Sequence, residues 1–374
     1  MKRILAFSLL VVLLLGGCAQ QDTQPTTQAA TEAPATEAPT TEAPTTDATT
    51  ATDATTPAEA ASAEPAPAAS EVLYRHPLTG KPLDAPFTGR PVAVSIGNTS
   101  PALPQYGIAQ SDLLLEVEAE GSVTRFLAFF TELDDVDSVG PVRSVRTYFN
   151  NVAASLQAPV VHCGGSERGV KGYHDQYGTK VPDWMHVNQF FNAKYFRRDT
   201  VRKADRFAME HTLFTSGAQL KQLMVDKKFD PIENLDYRMH FAENTVPEGE
   251  SAKQITFTFQ GTKTSNFTYD EANGFYTMKQ YGGQDLMDGN IDDRVTFKNL
   301  LMIYAQKNYT YYVLVGSGEG YYAANGKIVK IEWKREKLDA PFEFFYEDDT
   351  PLTLDVGNAY FGISGKKARA IKYE

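Results

Sequence analysis

Cysteine is nearly missing from this chain: Cys18 and Cys163 are the only two among 374 residues. If Cys18 serves as a lipid attachment point, one thiol remains and no internal disulfide can form. A folded part of about 300 residues can bury a sizeable core without one. Aromatic residues, lysine and arginine are absent from 19 to 70, so that stretch has nothing to bury and is expected to stay disordered. No second apolar run is long enough to span a bilayer as a helix. The absence of a polybasic run argues against nucleic acid as a partner. The six histidines lack metal-ligand spacing, with His174 and His186 twelve apart and no partner at i+4. No zinc site, and no other metal or cofactor, is therefore expected.

What is present begins with an export signal. Lys2 and Arg3 precede an apolar run from Ile4 to Leu15 that is too short to cross a membrane, and the run ends in Leu15-Gly16-Gly17-Cys18. Small residues before a cysteine look like the cleavage box of bacterial lipoproteins, so residues 1–18 read as signal peptide and lipobox, with Cys18 as the lipidated residue. Residues 19–70 then repeat Thr-Glu-Ala-Pro and carry eight acidic side chains. They read as a tether whose reach lies between roughly 40 and 160 Å. Eight of the 47 acidic residues fall there and two of the 36 basic ones in the signal, leaving 34 against 39, or −5, for residues 71–374.

The folded part reads as α+β: a mixed α/β domain over 71–232, then a mostly antiparallel β domain over 240–374. PVAVSIGN (91–98) and DLLLEVEAEGSVTRFLAFFTE (112–132) have strand character, the second as a hairpin turning at Gly121-Ser122. A helix is expected from Pro141, with Val142, Val145, Phe149, Val152 and Leu156 on one stripe. Another is expected from Thr215 or Ser216, either of which can cap it, with Leu220 and Met224 inward. After Phe241 short β patterns dominate, two of them containing the hairpin dipeptide Asn-Gly. Pro231, Asn234, Pro247 and Gly249 interrupt the pattern between 229 and 253.

A two-residue turn at 121–122 would put Glu118 opposite Arg125, with Glu116 and Glu120 on the same face. Such a face is either a solvated polar surface or a site, since carboxylates two apart on a strand approach the spacing of a glycosidase pair. Arg143 and Arg146 would fall in the first turns of a helix, where positive charge costs a few tenths of a kcal/mol unless an anion is near. That anion is either the glutamate face or a bound ligand. The expectation is one cluster of Glu116, Glu120, Arg125, Arg143 and Arg146, with Arg146 structural and Arg143 facing a ligand. The run 195–211 reads as a solvated, charge-mixed segment. Cys163 beside His162 points to the opposite face of a strand, so the histidine cannot activate it. Gly164-Gly165-Ser166 lacks the Lys-Ser/Thr sequel of a phosphate loop.

Taken together, these segments resemble the YerB-like lipoproteins of bacteria, a two-domain family without an established biochemical function. The likeness covers roughly 75–370. It rests on PVAVSIGN, SDLLLEVEAEGSVTRFLAFF, GPVRSVR, HCGGS, FRRDTVR and EHTLFTS in one order, and less sharply on KNLLMIYAQ, VGSGEG and NGKIVKIEWKRE. The resemblance singles out Asp112, Glu116, Glu120, Thr124, Arg125, Gly140, Pro141, Arg143, Ser144, Arg146, His162, Gly164, Gly165, Ser166, Asp199, Arg202 and His211. Glu118 and Cys163 are not motif positions, and Ala208-Met209-Glu210 and Thr212 depart from the pattern around His211.

The resulting expectation is an extracytoplasmic lipoprotein anchored to the bacterial membrane. It would act as a non-catalytic binding or accessory module at the cell envelope, with a cell-wall polymer or an envelope protein as partner. Its site would draw on Glu116, Glu120, Arg125, Arg143, Arg146, His162, Ser166, Asp199, Arg202 and His211. The alternative is a hydrolase of cell-wall glycan or peptide, with Glu116 or Glu120 as acid or base.

Overall fold

Three strands near the start of the fold are buried along their whole length: β1 (Val92–Asn98), β2 (Leu113–Glu118) and β3 (Thr124–Phe130). Successive side chains point to opposite faces of a strand, so a strand covered on both sides must be apolar nearly throughout. The computed structural model that shows this describes residues 74–120, 123–166, 186–188, 192–259, 263–308, 311–365 and 371–374. The expected signal and tether at 1–70 and the expected turn residues Gly121 and Ser122 lie outside them.

The remaining elements used below are α1 (Thr147–Ser155), β4 (Val160–His162), β5 (His186–Asn188), α2 (Thr200–Ala204), α3 (Gly217–Asp226), β6 (Gln254–Thr258), β7 (Thr264–Asp270), β8 (Phe275–Gln280), β9 (Asn299–Asn308), β10 (Gly316–Ala324), β11 (Lys327–Arg335), β12 (Ala359–Gly365) and β13 (Lys372–Tyr373). The fold is mostly β. A twelve-stranded sheet runs in the order β11-β10-β9-β12-β2-β3-β1-β4-β5, with three further short strands attached to β9 and β11. β12 lies parallel to both β9 and β2, pairing Ala359 with Asn299 and with Leu113. The segments 71–232 and 240–374 therefore contribute neighbouring strands to one sheet. A six-stranded antiparallel sheet is built on β8-β7-β6-β13.

Each face of the large sheet has its own core. Val92, Val94, Ile96, Leu114, Phe126, Ala128 and Phe130 pack with Phe257, Phe267 and Tyr276 of the second sheet and with Leu220 and Leu223 of α3. Ala93, Leu113, Leu115, Val117, Leu127 and Phe129 pack on the other side with Tyr148, Phe149 and Val152 of α1 and with Trp333. Ser216 caps α3 by accepting from the Gln219 amide at 3.3 Å, as its position before an apolar stripe suggests. Asn325-Gly326, both at positive φ, make the two-residue turn between β10 and β11.

Two expectations are corrected here. The first concerns the helix, which starts at Thr147 rather than near Pro141. Residues 139–145 are drawn into extended pairing instead. Val139 exchanges hydrogen bonds with Thr215, the Val142 amide donates to Leu213 O at 2.7 Å, and the Arg143 amide donates to Ser95 O at 2.8 Å. Partners distant in sequence satisfy these backbone groups, so local helical spacing loses to tertiary pairing. Val142 and Val145 are buried, but in the two different cores.

The second concerns the hairpin. Glu118 pairs with Thr124 and Val117 with Arg125, and the Ala119 amide closes the turn on Val123 O at 2.7 Å. Three residues, 120–122, are left in the loop instead of two. A one-residue change of register turns a side chain to the other face, so Arg125 lies on the side of Val117, away from Glu116.

Candidate functional site

The register divides the charges expected in one cluster between the two faces. On the side of the second sheet, Glu116 is fully buried and its carboxylate is saturated. It accepts from Asn98 Nδ2 at 3.0 Å, Thr124 Oγ1, Ser265 Oγ at 2.8 Å and the Tyr360 hydroxyl at 2.7 Å, and Lys263 Nζ stands 3.0 Å away. Lys263 is itself buried and also donates to Ser265 Oγ at 2.9 Å. Burial pushes the Lys263 ammonium below its ordinary range, while the charge of Glu116 pulls it back up. Asn98 and Gln280 exchange amide hydrogen bonds at 3.0 and 2.9 Å, joining β1 to β8. Glu118 is also committed, to Lys307 Nζ at 2.8 Å and to the Tyr312 hydroxyl at 3.4 Å.

The α1 side gathers cations. Gly97 on β1 is the strand partner of Arg125 on β3. The stem of Arg143 lies over that glycine so closely that a Cβ there would sit 2.9 Å from Arg143 Cγ. Arg143 Nη1 donates to Glu210 O at 3.1 Å and lies 3.4 Å from the exposed Glu210 carboxylate. Arg146 is the N-cap residue of α1 and caps nothing with its side chain. Its guanidinium grips Glu120 with two nitrogens, Nε and Nη2, and donates from Nη1 to Val145 O at 2.7 Å. Glu120 thus brings a negative charge to a helix start. Desolvation pushes its carboxyl up, but the hydrogen bond and charge of Arg146 outweigh it and hold the group below the usual carboxylate range.

Arg125 differs from its two neighbours. It is 6% exposed, donates from Nη1 to Ser144 O at 2.7 Å, and among the described residues has no carboxylate within 4 Å. Burial, then the positive charges of Arg146 and Arg143, push its guanidinium below the ordinary arginine range, with Tyr148 and Glu120 opposing. Tyr148 from α1 stands in the same neighbourhood. Its ring is buried, its hydroxyl has no hydrogen-bond partner among the described residues, and the charges acting on it are those of Arg125 and Arg146, with Glu120 and Glu118 opposed to them.

The other candidates divide further. His211 is buried beside this cluster, with Nε2 3.7 Å from Glu210 Oε1 and Nδ1 without a partner among the described residues. Desolvation, then Arg143, lower its pKa below the ordinary histidine value. His162 is buried with Nδ1 2.8 Å from Gly164 O, and Ser166 is half-buried at the end of the same turn. Asp199 caps α2 by accepting from the Arg202 amide at 2.8 Å. Arg202 is buried and donates to Ala102 O at 3.0 Å, Pro104 O and His211 O at 3.2 Å, with its guanidinium over the rings of Tyr106, Phe207 and Phe214. Asp199 and Arg202 therefore pin chain segments together, and Arg202 corrects the picture of a solvated run. Cys163 is half-buried, and burial raises its thiol, with Arg198 and Arg143 opposing. Among the described residues no group of three His, Cys, Asp or Glu is placed to hold a metal ion, and no helix is long and apolar enough to cross a membrane.

Sequence reasoning missed Lys263, Asn98, Gln280 and Tyr148. Nothing near Glu116 in the chain signals a lysine 147 positions later. Tyr148 could have been found, because it sits two residues after Arg146 at the start of an apolar stripe.

Two family models match the chain. Residues 78–230 match the N-terminal domain and 255–361 the C-terminal domain of a protein of unknown function (DUF3048). The chain is similar to "Putative lipoprotein YerB" of Bacillus subtilis, with 27% identity over 277 residues, covering 69% of this chain and 80% of that one. The crystal structure of the YerB protein from Bacillus subtilis matches it with a TM-score of 0.64 at 25% identity, covering 80% of this chain and 99% of that one.

Proposed function

The chain belongs to the two-domain DUF3048 family, and from that premise we propose that it is an extracytoplasmic lipoprotein, anchored through Cys18, that binds an anionic group at the cell envelope without transforming it. The finer reading of the family's first domain as mixed α/β and the second as β-rich belongs to the same proposal.

The observation that carries it is Arg125: a buried guanidinium with no carboxylate within 4 Å among the described residues, flanked by Arg143 and Arg146. Leaving a buried charge uncompensated costs several kcal/mol, an expense consistent with a partner that arrives from outside. Binding is favoured over hydrolysis because both candidate carboxylates are engaged and lie apart. Glu116 is saturated by five donors on one face, and Glu120 is held by Arg146 on the other. A general acid or base needs a group able to exchange its proton with substrate.

Anchoring and binding are tested separately. Cys18→Ala should leave the protein unlipidated, and continued fractionation with membranes after signal removal would refute the anchor. Purified cell wall incubated with the Cys18→Ala protein should retain it and release no fragments. Fragment release that disappears in Glu120→Gln would establish the hydrolase instead.

A further inference from the structure

The buried polar cluster around Glu116 brings a nucleophile and an acyl group to one carboxylate oxygen. Lys263 Nζ and Asn98 Nδ2 each lie 3.0 Å from Glu116 Oε1, so at most two such lengths separate them. Asn98, Glu116 and Gln280 are fully buried, and the Lys263 side chain is 2% exposed. The rings of Phe259 and Tyr281 stand 5.6 and 5.2 Å from the ammonium. Bulk water is therefore kept from all of these groups.

Exchange of one amine for another at an amide needs three things, and the cluster supplies each. The first is an amine able to lose its charge: burial pushes Lys263 below its ordinary range, with Glu116 opposing. The second is a place for negative charge on the attacked carbonyl. Asn98 Oδ1 accepts from Gln105 Nε2 at 3.0 Å and from Gln280 Nε2 at 2.9 Å, two fixed donors of the kind that steady a tetrahedral oxyanion. The third is a proton carrier in reach of both nitrogens, and Glu116 Oε1 touches each. Attack asks Nζ to come within about 3.5 Å of Asn98 Cγ. The flexible four-carbon stem of a lysine allows that swing.

We propose that Lys263 and Asn98 join in an intramolecular isopeptide bond, formed by the chain on itself with loss of ammonia. Glu116 takes a proton from the ammonium, the neutral Nζ attacks Asn98 Cγ, and the Cγ–Nδ2 bond breaks as Nδ2 receives a proton through Glu116. Of the three lysine protons one stays on the new amide, one leaves in ammonia and one remains on Glu116, which ends neutral. No oxidant or cofactor enters the step. The ion pair and hydrogen bonds described above are those of the chain before it. Asn98 ends β1 of the large sheet and Lys263 precedes β7 of the second, so the bond staples one sheet to the other across a long loop. Cys163 is the only cysteine in residues 71–374, so no disulfide can do the same.

The test uses the mature chain with Cys18→Ala, keeping the tether and the folded part together, and weighs it intact by mass spectrometry under denaturing conditions. The mass should fall below the sequence value by one ammonia, about 17 Da. Tryptic digestion should give a branched peptide that carries both Lys263 and Asn98, with cleavage after Lys263 lost. Asn98→Ala removes the acyl group and Glu116→Gln the proton carrier, so each should keep its full mass while circular dichroism shows a folded chain. A parent at full mass, with trypsin cleaving after Lys263, would overturn the proposal whatever the variants do. The same mass loss without a branched peptide, as a succinimide would give, would overturn it too. A branched peptide that persists in Glu116→Gln would overturn the role of Glu116 as proton carrier.

Discussion

Glu116 and Arg125 sit on adjacent strands, are both buried, and lie in opposite electrostatic situations. Glu116 has a buried cation and four neutral donors, all from side chains, one of which, Ser265, is on the second sheet. Arg125 has a backbone carbonyl and two like charges nearby. Burial alone therefore says little about what a charged residue is for. A buried charge whose every lone pair is matched is part of the structure, while one left unmatched retains capacity for a partner.

The sharpest way to break this contrast is to spoil the matched side. Lys263→Met should strand the Glu116 carboxylate and cost about 3–5 kcal/mol in urea unfolding, and adding Glu116→Gln should recover a large part of the loss. The corresponding change on the unmatched side should do far less. Arg125→Met, which removes a buried charge with no carboxylate within 4 Å among the described residues, should stay within about 1 kcal/mol of the parent or gain stability, with anion binding lost. If Arg125→Met proved as damaging as Lys263→Met, the two sites would be alike and the contrast would fail.

Acid titration sharpens the same difference. His211 has its folded-state pKa lowered, by burial first and by Arg143 second. The unfolded chain then takes up a proton that the folded ring resists. This contribution is fully present above about 6.5 and is lost as the pH falls through the folded value. His76, whose Nδ1 accepts the Leu78 and Thr79 amides, is pushed down in the same direction by burial. The informative measurement is therefore the slope of stability between pH 7 and 5 in the parent against His211→Asn, which should be shallower. Equal slopes would mean that neither burial nor Arg143 depresses His211 in the folded protein.

Smaller still is the exposed pair. Glu120→Ala should cost no more than about 1 kcal/mol, because Glu120 faces solvent and is screened. It should also strengthen anion binding, which calorimetry would read, by freeing Arg146 and adding one positive charge. Weaker binding in this variant would show that Glu120 organises the site rather than competing for it.

Some of this was legible in the chain and some was not. Local composition is enough to raise the expectation of an export signal with a cysteine box, and to mark a stretch without aromatic or basic residues and a chain rich in β-strands. Short-range stereochemistry is enough to place the Ser216 cap and the Asn325-Gly326 turn. Family membership followed from motifs in a fixed order. The arginines of GPVRSVR and the glutamates of LEVEAE were recognised as charges needing partners, but their partners were not recognised. Whether Arg125 faces Glu116 depends on whether the hairpin loop holds two residues or three, and a single position turns the side chain over. Whether residues 139–145 coil or extend depends on carbonyls at Ser95 and Leu213, far away in sequence. Lys263 reaches Glu116 only because β12, between β9 and β2, ties the late strands to the early ones. Local sequence encodes propensities over a few residues, whereas the pairing of buried charges is settled by which backbones end up adjacent, and only the folded chain decides that.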